Sequence, residues 1–127
     1  MKMVVVAPDG VRPPPMIRRD VEEIVNDVVS EEVVTSAPPH EVGKMVSEGD
    51  VVVVMGVAID FVDVEGFKAL SSEGVRVFFA VVKAVNHAQC GVVPEIRRFM
   101  WRGKCLEYVG LAEDWILTLI PNFIVHH

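Results

Sequence analysis

The stretch "VVVVMGVAI", residues 51–59, decides the fold. Valine is stiff at χ1 and prefers extended backbone, so four in a row read as a strand. The run shows no apolar–polar alternation, so both faces of that strand must be covered. It is also far short of the ~20 apolar residues that cross a bilayer. A second run of the same kind, "VRVFFAVV", occupies residues 75–82. Between the two, "VEGFKALSSEG" places Val64, Phe67 and Leu70 at helical spacing and closes on Gly74. Strand, helix and strand at this spacing make a βαβ unit, and a βαβ unit makes a parallel sheet.

Outward from this unit the pattern continues. Val4 to Ala7 forms a short β-rich run that stops at Pro8-Asp9-Gly10, a turn signature. "RPPP" forbids helix until about Met16, after which Ile17, Val21, Ile24, Val25 and Val28 trace one helical face. "EEVVTS" reads as a brief edge strand, and "APPHEVGKMVSEGD" as a short helix begun at the prolines and closed at Gly49. Further on, "PEIRRFMWRGK" reads as helix, followed by "CLEYVGL" and "DWILTLIPNFIV". The expectation is one α/β domain over residues 1–127. It is a three-layer sandwich, flavodoxin-like in outline, with a mostly parallel sheet of about five strands and residues 51–58 and 75–82 at its centre.

Composition narrows the function. The net charge is −6, from 12 Lys+Arg and 18 Asp+Glu, with no basic stripe, so nucleic acid is not an expected partner. No membrane association is expected either. "MKMVVVAPDG" has too short an apolar segment for a signal peptide, which points to the cytoplasm and to Cys90 and Cys105 as reduced thiols. Hydrophobic residues make up 51% of the chain and its mean hydropathy is +0.39. That surplus points to a homo-oligomer or a protein partner, with "WILTLIPNFIV" (115–125) at the contact. Trp101, Trp115 and Tyr108 read as core or interface aromatics.

In an open parallel sheet, ligands sit beyond the carboxyl ends of the strands. The candidate ligand-binding residues are therefore Asp9 and Gly10, Gly56 and Asp60, and Asn86 and Gln89. The same Asp and Gly would serve plain turns. No glycine-rich dinucleotide fingerprint or phosphate loop is present, so no cofactor is expected. The segment "NHAQC", residues 86–90, spaces His87 and Cys90 three apart. An imidazole beside a thiol can create a nucleophilic thiolate, which makes Cys90 and His87 the candidate catalytic pair. The plain alternative is a small buried thiol near a helix end at Gly91, with His87 at the surface. Cys90, Cys105, His87 and His40 show no zinc-type spacing, so no metal site is expected. His126 and His127 do not inform function.

"VVVVMGVAIDFV", "FKALSSEGVRVFFA", "CGVV" and "EYVGLAEDWILTL" together resemble the DsrE-like proteins, small α/β domains that include sulfur-relay subunits. The likeness spans Val51 to about Leu119, and residues 1–50 match less well. Sulfur-carrying members of that family hold a persulfide on a cysteine in the strand after the Gly-Val turn. The corresponding position here, six residues after Gly74, is Ala80. The resemblance thus implies a DsrE-like oligomeric subunit without the persulfide cysteine, acting in assembly or small-ligand binding. The alternative is a sulfurtransferase or thiol enzyme using Cys90 with His87, and whether the chain is an enzyme stays open.

Overall fold

A computed structural model describes residues 1–55, 61–113 and 124–125. Along the chain run β1 (Lys2–Ala7), α1 (Pro15–Val25), β2 (Ser30–Thr35), α2 (Pro39–Gly43), β3 (Val51–Met55) and α3 (Phe61–Ala69). A 3-10 turn at Leu70–Glu73, β4 (Arg76–Ala84), a 3-10 helix at His87–Val92, β5 (Arg98–Trp101), β6 (Lys104–Glu113) and β7 (Ile124–Val125) follow. The sheet order is β2-β1-β3-β4-β6-β5, with β7 added to β4.

The first four strands are parallel, with Val5 opposite both Val33 and Val53, and Val54 opposite Phe79. β3 and β4 are central, and every residue of β3 is buried. Alternate side chains feed two cores. Met3, Val5, Val51, Val53, Phe78 and Ala80 pack with Ile17 and Val21 of α1 on one face. Val4, Val6, Val52, Val54, Val77 and Phe79 pack with Val42 of α2 and Phe67 of α3 on the other. Helices therefore cover both sides of a sheet whose strands alternate apolar in both directions.

Three elements depart from the sequence reading. The expected helix at "PEIRRFMWRGK" is instead the first half of a hairpin, with Trp101 paired to Lys104 and β5 antiparallel to β6. Arg102 (φ 50°) and Gly103 (φ 73°) form its two-residue turn. Left-handed backbone at both central positions matches the strand twist and ends any helix. Since β6 also runs antiparallel to β4, the sheet is mixed rather than the expected mostly parallel set of five. The first helix is also shorter than its apolar pattern. Asn26 caps it in the left-handed conformation, leaving Ile24 and Val28 exposed while Val29 turns inward. Pro39–Gly43 likewise stops short of Gly49, whose positive φ belongs to the turn before β3.

The two helices on the second face approach closely at Gly66. A Cβ there would lie 2.6 Å from Cγ of Pro39. A ring carbon cannot swing aside as a flexible side chain can, so this position needs the missing side chain. Gly66→Val is expected to destabilise the fold by about 1–3 kcal/mol through overpacking, measured as a lower urea midpoint with an unchanged slope.

Candidate functional site

β1 and β3 are neighbours, but the chain leaves them for opposite faces of the sheet. From β1 it crosses through α1 to β2 on one side, and from β3 it crosses through α3 to β4 on the other. Adjacent parallel strands whose connections diverge leave a crevice at their carboxyl ends, the switch point where α/β sheets bind ligands. A cavity of about 80 Å³ lies there. Val6, Ala7 and Pro8 reach it from β1, Met55 from β3, and Ser36, Ala37 and Pro38 from the chain after β2. Asp63 and Phe67 close it from α3. Among the described residues that line it, Ser36 and Asp63 carry the polar side chains.

Ser36 is one of three non-glycine residues with positive φ among the described residues, at 46°. Its N–H donates to the carbonyl of Ala7 at 2.9 Å, tying the β2 exit to the end of β1 across the cavity rim. Left-handed backbone at a residue with a Cβ costs energy and is maintained by its surroundings; such positions cluster at ligand sites.

Sequence candidates fall around this cavity in an uneven way. Pro8 lines it, but Asp9 and Gly10 are exposed in the turn closed by Val11 N–H to Pro8 O. Gly56 and Asp60 lie outside the described residues, as do Trp115 and nearly all of 115–125. Ser36 and Asp63 were missed as site residues. One follows an edge strand and the other sits in the first turn of a helix, so both read as ordinary turn and cap residues.

Asn86 and Gln89 come together elsewhere. With Lys83, Val85, Val92, Pro94 and Glu107 they line an open cleft of about 410 Å³ past the end of β4. Lys83 and Glu107 form an ion pair across strands at its floor, 3.5 Å apart. Asn86 caps the 3-10 helix: its Oδ1 accepts the N–H of Ala88 at 3.0 Å, and its carbonyl accepts that of Gln89 at 2.8 Å. His87 is exposed.

Cys90 is joined to Cys105 by a disulfide, with the Cα atoms 6.1 Å apart. The expected reduced thiols are thus a bonded pair, because the hairpin brings residue 105 beside a segment that sequence spacing alone left distant. In the bonded form Cys90 offers no thiolate to His87. Among the described residues, no three His, Cys, Asp or Glu side chains converge to hold a metal. No helix among them is long and apolar enough to cross a membrane.

A partly buried polar pair lies outside both clefts. Tyr108 of β6 is fully buried, and its hydroxyl donates to Oδ2 of Asp20 on α1 at 2.5 Å. The Arg97 guanidinium sits over the Tyr108 ring and donates to its carbonyl. Burial pushes the phenol pKa far up, and the Asp20 carboxylate pushes it the same way.

No protein-family model, curated protein or solved structure matches this chain.

A raised phenol pKa means that the folded state holds its proton longer than the unfolded one. The associated stability is whole below the unfolded tyrosine value of about 10 and declines as pH climbs above it. Tyr108 is the chain's one tyrosine, so ultraviolet titration of phenolate reports it alone. Phenolate is expected to appear only together with loss of tertiary structure. Ionisation near 10 in a folded chain would contradict the burial of Tyr108 and its pairing with Asp20.

Proposed function

We propose that this chain is a small-ligand-binding α/β subunit without catalytic chemistry of its own, working in a DsrE-like homo-oligomeric assembly in the cytoplasm. The observation that carries the reading is the cavity at the switch point, walled by the exits of three parallel strands and by α3. Among the described residues its lining is largely apolar, with the hydroxyl of Ser36 and the carboxylate of Asp63, which suits a small ligand with an apolar body and one hydrogen-bond-donating or cationic end. Ala80 supports the non-catalytic part: it is fully buried on β4, paired with Met55 and Leu111, and offers no reactive group. The thiol-enzyme alternative belongs only to a chain in which the Cys90–Cys105 bond has been reduced.

Benzylamine is a suitable probe, with an aromatic body and an ammonium for the carboxylate. Amide shifts on titration are expected at Ala7, Ser36, Ala37, Met55 and Phe67, and Ala37→Phe should abolish them while leaving the melting temperature nearly unchanged. Shifts scattered over the surface, or retained in Ala37→Phe, would remove the cavity as the site. For the assembly, light scattering at micromolar concentration should give a multiple of the 14.0 kDa chain; a monomer mass would exclude the oligomer.

A further inference from the structure

We propose that the Cys90–Cys105 bond is a reversible latch, opened by a dithiol, that fastens the 3-10 helix His87–Val92 to β6 and so holds one wall of the cleft beside Asn86 and Gln89. This lies apart from the switch-point cavity and does not depend on ligand binding there.

The helix has little else to hold it. None of its residues is buried. The hydrogen bonds from Gln89 to Asn86, from Val93 to Cys90 and from Ala88 to the Asn86 side chain are all local to the segment. From outside it come the guanidinium of Arg98, which donates to the Cys90 carbonyl at 2.8 Å, and the disulfide. The opposite wall is of another kind. Lys83 belongs to β4 and Glu107 to β6, strands paired through Lys83↔Glu107 and Ala84↔Leu106. Val85 extends that pairing by donating to the Cys105 carbonyl at 2.9 Å. Gln89 and Val92 therefore face a fixed wall from a segment that, among the described residues, is fastened from outside by one covalent bond and one hydrogen bond.

The two sulfurs differ in access. Cys105 is 5% exposed, whereas Cys90 is only half-buried on the outer segment. A thiolate of the dithiol attacks Sγ of Cys90; the S–S bond breaks and Cys105 leaves as thiolate, taking up the proton released by that thiol. The second thiol of the reagent attacks the mixed disulfide, Cys90 leaves as thiolate and takes the second proton, and the reagent departs as its own disulfide. Two electrons pass from the dithiol to the protein. A disulfide that opens in the folded state is the behaviour expected of redox-responsive pairs in a reducing compartment.

The test is amide hydrogen exchange on the oxidised chain, on the chain in millimolar dithiothreitol, and on the Cys90→Ser/Cys105→Ser double variant. Intact mass should first show a gain of two hydrogen atoms on reduction without denaturant. Exchange across residues 86–95 should then rise by at least ~10-fold, as for local opening, with β1, β3 and β4 still protected. The double variant should match the reduced chain and ignore dithiothreitol. The latch is overturned by a bond that reduces only in denaturant, by unchanged exchange across 86–95, or by loss of protection throughout the sheet. A double variant that exchanges like the oxidised chain would overturn it equally.

Discussion

Burial of β1 and β3 on both faces is the constraint from which the rest of the molecule follows. Every residue from Met3 to Ala7 and from Val51 to Met55 is buried. Such strands can carry only apolar side chains, and their backbone N–H and C=O groups must all find partners in neighbouring strands. Both requirements are met by parallel neighbours on either side and by helices above and below. The same burial drives chemistry out of the strands. Polar groups can appear only where strands end, and the divergent exits of β1 and β3 put Ser36 and Asp63 at such an end.

The sheet stops growing differently at its two edges. β2 is exposed along most of its length and carries Glu31 and Glu32, charges that discourage another chain from adding to it. Lys2 pairs with Glu32 across β1 and β2 at 3.0 Å, a surface pair of small energetic weight. At the other side β6 runs antiparallel along β4, and β5 folds back on it as a hairpin. Tyr108 ties β6 to α1 through Asp20, and Arg76 of β4 reaches Glu113 at the far end of β6.

The central architecture was legible because it rests on burial, and burial writes itself as uninterrupted apolar runs. The strands at 51–55 and 76–84, and the helix carrying Val64 and Phe67 with the 3-10 turn at Leu70 that follows it, lie where such patterns place them. Short-range backbone chemistry was harder to read. Arg102-Gly103 lacks the Asn-Gly or Asp-Gly signature of a two-residue hairpin, so the stretch around it read as helix. Asn26 ended α1 before Val28, although the apolar face continued. The disulfide was invisible for the same reason: its two ends are 15 residues apart, and only the hairpin closes that distance.

The two clefts differ in the physics of their walls, and that difference bears on what each can do. The switch-point cavity is built on strand ends embedded in both cores, with Met55, Val6 and Phe67 almost wholly buried. Those residues are closely packed, so the walls they form are preformed. The cleft at Asn86 and Gln89 borrows one firm wall from β4 and β6 and takes the other from a helix that buries nothing. A wall of that kind contributes no selectivity unless something holds it in place. Here a covalent bond does so, coupling the geometry of the second cleft to the thiol state of its surroundings, while the valine-built sheet beneath both sites stays independent of it.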